Sequence, residues 1–265
     1  MSASDLFQAG RLREAIDAQL TKVKGQPTDQ SARFFLFELF LFAGELDRAR
    51  KQLDVLKYDD PKHSAAVEQY RFALDAEAKR RAVFAGKGEP EWLSQSGTHL
   101  PHRLEAVQAL ARGDQAAAVA ALAAADAATP PAAGTLDGKP FNPLADADER
   151  FGPVLEVFGT GGVYSWVPFE AVQSVIMNPP AAPRDIILRP AHLTLDNGVE
   201  GDVLLPGLYP NTFEAADEEL KLGRGTDWLG DDGEVPRGVG GRTFRAGDKF
   251  VSLADVRAVT FGGNG

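Results

Sequence analysis

The chain has 265 residues, 44% of them hydrophobic, a net charge of −10 and no cysteine. That length fits one large domain or two ordinary ones, and the apolar content excludes a disordered chain. The missing cysteines exclude disulfides, thiolate metal sites and a cysteine nucleophile, and the acidic balance argues against nucleic acid as a partner.

The balance is uneven along the chain. Residues 1–128 hold 17 basic and 18 acidic side chains, whereas residues 129–265 hold 11 and 20. Glycine splits 7 to 20 and proline 4 to 13 across the same boundary. Such a shift in breaker content points to two domains of different class. The start, Met1 to Asp5, lacks the basic and apolar stretches of a leader, and no apolar run reaches the roughly 18–20 residues of a membrane helix. The cytoplasm is the expected address, with no membrane contact.

The first half repeats. Ala9-Gly10, Leu12, Ala15 and Pro27 recur 34 residues later as Ala43-Gly44, Leu46, Ala49 and Pro61. A third copy, Gly113, Ala118 and Pro130, follows 69 residues after Gly44, Ala49 and Pro61. Glycine suits the left-handed turn that ends a first helix, the small alanines let paired helices approach, and proline stops the second helix. A helix–turn–helix period of 34 residues is the tetratricopeptide pattern, here without most of its aromatic positions. The expected helices are Ser4–Ala9, Arg11–Lys24, Asp29–Phe42, Leu46–Leu56, Pro61–Phe84, Leu100–Ala111 and the alanine-rich Gln115–Ala127. Phe34, Phe35, Phe37, Phe40 and Phe42 crowd the third of these, more aromatic surface than a narrow stripe holds. That helix is expected to be buried on most sides, with some rings lining a groove for a partner helix and Arg33 and Arg71 flanking it.

Residues 129–145 read as a linker or entry loop. Beyond them short strands are expected over Gly162–Pro168, Val172–Met177, Asp185–Leu188, Ala191–Leu195, Gly201–Leu205, Lys249–Ala254 and Arg257–Phe261. Asp196-Asn197-Gly198 is a hairpin turn signal, and Phe213–Leu222 has helical spacing. The predicted fold class is α+β: a tetratricopeptide-like all-α domain over 1–128, the linker, and a small β-rich α+β domain over 146–265.

Few residues in this half suggest chemistry. His99 and His102 are separated by Leu-Pro and read as surface histidines. Asp146-Ala-Asp148-Glu149 lacks the glycine and distal glutamate of a calcium loop and reads as a solvated loop or helix cap. The glycine-rich stretches around Arg224 and Val239 lack a phosphate loop's Lys-Ser/Thr ending, and Glu214, Asp217, Glu218 and Glu219 read as a solvated helix face. No catalytic set, cofactor site or metal site is expected. Tyr164-Ser-Trp166 and Asp227-Trp228 suit an interface or a core better than catalysis.

Several stretches together resemble one family, the ImpE/TagJ (SciE-type) accessory proteins of bacterial type VI secretion. They are Ala133-Gly-Thr-Leu-Asp-Gly138, Pro140-Phe141, Ala145-Asp-Ala-Asp-Glu-Arg150, Gly152-Pro-Val-Leu-Glu156 and Trp166-Val-Pro-Phe-Glu170. Pro183-Arg-Asp185, Arg189-Pro-Ala191, Leu205-Pro206, Leu208-Tyr-Pro210, Leu222-Gly-Arg224 and Thr226-Asp-Trp228 continue the series. Phe35-Leu-Phe37 before Leu41, and Arg48-Ala49 before Gln52-Leu53-Asp54, carry it into the first half. The resemblance implies a non-enzymatic virulence accessory that binds the N-terminal helix of the small sheath subunit, TssB, and handles the sheath near the recycling ATPase ClpV. No contact residue is carried over from the family.

On the residues alone, the receiving surface is expected on the second repeat, with Phe34, Phe37 and Leu41 as apolar contacts, Arg33 as a polar one and Arg71 beside them. The second half, with Tyr164, Trp166, Tyr209 and Trp228, is the alternative surface, and its net −9 would steer a basic partner. Two other readings stand beside this one: a tetratricopeptide scaffold or chaperone outside secretion, and a carboxylate enzyme using Asp146, Asp148 and Asp185.

Overall fold

A computed structural model describes residues 1–94 and 97–262. It begins with the helices α1 (Ala3–Gln8), α2 (Leu12–Gly25), α3 (Gln30–Phe42), α4 (Leu46–Val55), α5 (Pro61–Phe84), α6 (Leu100–Ala111) and α7 (Gln115–Ala128). Each lies within one residue of its expected bounds. Local chemistry sets the starts. Ser2 and Asp5 form a reciprocal capping box, Asp29, Asp60 and Asp114 accept from first-turn amides, and Pro61 opens α5 where its missing N–H costs nothing. The turn glycines Gly10, Gly44 and Gly113 have φ of 75°, 70° and 77°, the left-handed region a tight helix end requires.

The second half carries β1 (Glu91–Trp92, contributed from the helical half), β2 (Gly134–Leu136), β3 (Lys139–Phe141), β4 (Leu144–Asp146), β5 (Val154–Phe158), β6 (Tyr164–Pro168), β7 (Val172–Met177), α8 (Arg184–Ile187), β8 (Leu188–Leu195), β9 (Glu200–Pro206), α9 (Glu218–Lys221), β10 (Thr226–Leu229), β11 (Arg237–Gly240), β12 (Thr243–Ala246), β13 (Lys249–Ser252) and β14 (Ala258–Phe261). The architecture is α+β, with a helical first part and a β-rich second part. The large sheet runs β1-β6-β5-β9-β8-β7-β14-β2-β3, antiparallel except for β1 on β6. A smaller sheet has the order β13-β12-β4, and β10 and β11 form a separate ribbon.

Three expectations change. The 129–145 stretch is more than a connection, since β2, β3 and β4 lie largely within it. Asp185–Leu188 is the short helix α8 followed by the start of β8. Asp185 accepts from the Ala181 and Ala182 amides, and this local turn wins over the β-propensity of Ile186 and Ile187. Phe213–Leu222 is broken into a 3-10 turn at Thr212–Glu214 and α9, because Asp217 caps the Glu219 amide at 2.9 Å and restarts the helix there. The Asp196-Asn197-Gly198 turn joins β8 to β9 as its sequence suggests.

The large sheet is covered on both faces at its centre, where β5 and β6 are buried throughout. Along β5, Val154 and Phe158 pack with α3, α5 and α6, while Leu155 and Val157 pack with Leu144 and Phe244 of the smaller sheet. Helices and sheet therefore share one core. The repeat turns also touch the second half. A Cβ on Gly44 would run into the Phe213 ring, and one on Gly10 into Glu219. The start of α2, which has no side-chain cap of its own, is capped by Glu218, which accepts from the Leu12 and Arg13 amides at 3.0 and 3.1 Å. Glu218 thus ties α9 to the start of α2, while Glu214, Asp217 and Glu219 are exposed, as a solvated face would be.

Candidate functional site

Glu156 projects from β5 toward the helices and meets two arginines. Arg80 of α5 donates to it from Nε at 2.8 Å and Nη2 at 2.7 Å, and Arg242 also donates to its carboxylate. The Tyr164 hydroxyl donates to Glu156 and in turn accepts from the Trp166 indole at 2.6 Å. Burial alone would raise the Glu156 pKa, but the two guanidiniums hold it down at about 2.

Asp146 and Asp148 extend this cluster. Asp146 accepts from the Tyr209 hydroxyl at 2.9 Å and lies 3.3 Å from Arg242 Nε, while Asp148 pairs with Arg150 and accepts from the Gly238 amide. Both are buried, which corrects the expectation of a solvated loop. Burial, helped by Asp148 and opposed by Arg242, raises Asp146 to about 7. Asp185 does not join them, since it lines a small cavity beside Arg189. Each carboxylate invoked for an acid–base site is thus engaged with an arginine, a tyrosine or a backbone amide. His99 is fully buried, against expectation. Its Nδ1 accepts from Arg103 Nε at 3.2 Å, which leaves Nε2 to face Glu170 at 3.3 Å. Among the described residues, no group of three or more His, Asp or Glu side chains is arranged to hold a metal ion.

Beside the charge cluster lies an open cleft of about 980 Å³. One wall is the end of α7 with residues 129–132, the second is the smaller sheet, and the third is the loop from β10 to β11. Val235 pins that loop. It packs among Ala106, Ala109, Ala118, Ala121 and Leu122 of α6 and α7, and its amide donates to Gln115. Ala145, Arg245 and Phe250 stand opposite one another across β4, β12 and β13, in one row of the cleft wall.

The residues chosen from sequence fall in different places. Phe37 is fully buried and Leu41 nearly so, so they serve the core. The face of α3 near Phe34 is covered by the chain itself. Tyr70 of α5 packs edge-on against Phe34 and tilted against Phe37, and Arg184 of α8 lies over Phe34 while pairing with Glu38. Arg33 donates to Pro27 and Gln52, and Arg71 to Asp54, Glu68 and the Leu53 carbonyl. Tyr164, Trp166 and Tyr209 are each at most 1% exposed. Trp228 is 39% exposed, rests against the Tyr209 ring at 5.9 Å and lines the cleft. Phe250, 67% exposed on the same cleft, was missed. A lone aromatic in a short strand carries no sequence signal that separates an exposed position from a buried one.

A family model described as ImpE protein matches residues 138–260, which include the elements of the smaller sheet and the ribbon. Over 261 residues the chain is 39% identical to the type VI secretion system accessory component TagJ of Pseudomonas aeruginosa, covering 98% of this chain and 91% of that protein. The crystal structure of a Vibrio parahaemolyticus protein is similar with a TM-score of 0.89 at 21% identity, covering 99% of this chain and 98% of the other, a likeness of fold.

Proposed function

Since the chain belongs to the ImpE family, we propose that it is a non-enzymatic accessory of a bacterial type VI secretion system, working in the cytoplasm as an adaptor. In this reading it holds the N-terminal helix of the small sheath subunit, TssB, and handles the sheath close to the ClpV ATPase. The near-full-length relative carries the name of an accessory component, which supports the secretion setting.

The observation that carries the adaptor reading is the contrast between the two neighbouring features. The Glu156 and Asp148 carboxylates are tied up in buried ion pairs, whereas the cleft beside them is open and presents exposed aromatic rings. Exposed aromatics on a concave surface suit recognition of another chain. The test is co-purification of the tagged protein with TssB, full length and lacking its N-terminal helix. The reading expects retention of the full-length subunit alone. Equal retention of both forms, or of neither, contradicts it.

A further inference from the structure

We propose that the cleft between α7, the smaller sheet and the β10–β11 loop is the docking surface, and that it takes a partner segment bearing Lys or Arg side chains around an aliphatic or aromatic anchor. This rests on the adaptor reading and adds where the partner sits and what chemistry it presents.

Two observations carry it. The first is the pair of exposed aromatics that line the cleft from different elements, Trp228 on β10 and Phe250 on β13. Trp228 is held in place from below. Its ring packs on Tyr209, whose hydroxyl is fixed by Asp146 and the Thr243 carbonyl. The ribbon lies so close to Tyr209 that a Cβ on Gly238 would strike its ring. A ring supported in this way loses little freedom on binding, which favours it as an anchor.

The second is charge. Among the described residues, the cleft is lined by Asp126, Asp146, Glu149, Asp231, Asp232 and Glu234 against Arg103 and Arg245. Arg103 is 1% exposed and already donates to Asp126, His99 and the Glu149 carbonyl, so it offers little to a visitor. Asp126, Glu149, Asp231 and Asp232 are exposed on the cleft, four carboxylates against the exposed Arg245. The rim is therefore anionic around an apolar centre, and its complement is a cationic segment with an apolar anchor. Such complementarity speeds encounter and weakens with salt.

The test titrates three probes by calorimetry: a synthetic TssB N-terminal helix peptide, a Lys/Leu amphipathic helical peptide of equal length, and its Glu/Leu counterpart. The proteins are wild type, Trp228→Ala, the double variant Asp231→Lys/Asp232→Lys, and Ile176→Ser as an exposed control outside the cleft. Expected are about tenfold losses of TssB-peptide and Lys/Leu affinity in the first two variants, no change in the control, at least tenfold preference for Lys/Leu over Glu/Leu, and several-fold weakening from 0.1 to 0.5 M salt. TssB-peptide binding that survives both cleft variants within twofold overturns the cleft and leaves the adaptor reading standing. Lys/Leu binding in the cleft without TssB-peptide binding overturns the sheath-helix reading and leaves the cleft's chemistry standing. No preference between the Lys/Leu and Glu/Leu probes overturns the charge assignment.

Discussion

Arg80 on α5 and Glu156 on β5 form a buried two-point ion pair between the helical half and the sheet, 76 residues apart in sequence. Arg80 also donates to the Leu208 carbonyl at 2.9 Å, and Arg242 shares the same carboxylate. Removing one member of such a cluster leaves its partners charged and unpaired in a dry setting. Glu156→Gln is therefore expected to cost about 3–5 kcal/mol, read from urea unfolding by circular dichroism. A loss below about 1 kcal/mol would mean that water reaches the arginines.

Glu218 replaces a cap that the repeat sequence does not supply. Glu218→Ala is expected to cost about 1 kcal/mol and to speed hydrogen exchange at the first amides of α2. Unchanged exchange at Leu12 and Arg13 would contradict this role.

Gly44 and Gly113 occupy equivalent turns in different surroundings. Both have positive φ, so an alanine at either is strained by about 1 kcal/mol. At Gly113 a Cβ meets open space, whereas at Gly44 it meets Phe213, the ring that Arg81 stacks on at 3.9 Å. Gly44→Ala should lower the melting temperature clearly more than Gly113→Ala. Equal losses would show that the Phe213 contact is soft.

Asp146 gives the fold a pH dependence. Its carboxyl is raised to about 7 by burial, well above its unfolded value. Its contribution is fully present below about pH 4 and is lost as pH rises through about 7. Asp146→Asn mimics the protonated form at every pH. From pH 5 to pH 8 the wild type should thus lose stability relative to the variant, on the order of 2 kcal/mol. A constant difference across that range would show that Asp146 keeps an ordinary carboxyl.

The helical half was legible because its signals are local. The 34-residue spacing of Gly10 and Gly44, the capping aspartates and the prolines each act within a few residues, and they placed the helices within one residue. The second half was less legible because the central strands of its sheet are covered on both faces. Val154–Phe158 is buried throughout, with Glu156 in its middle, so it offers no alternation to read. The site was the least legible part. Trp228 stood out by type, but Phe250 and the acidic loop acquire meaning only when the chain brings β10, β13 and α7 together. The surroundings of the second-repeat helix were hidden for a related reason. Tyr70 and Arg184, from distant parts of the chain, occupy the face of α3 that a partner was expected to fill.

The most direct test of the adaptor in its cleft is hydrogen exchange of the whole chain with and without the TssB N-terminal helix peptide. The account predicts slowed exchange across residues 226–236 and 245–250, with little change in residues 30–42. Protection confined to residues 30–42 and 61–74, with the 226–236 ribbon unaffected, would contradict it.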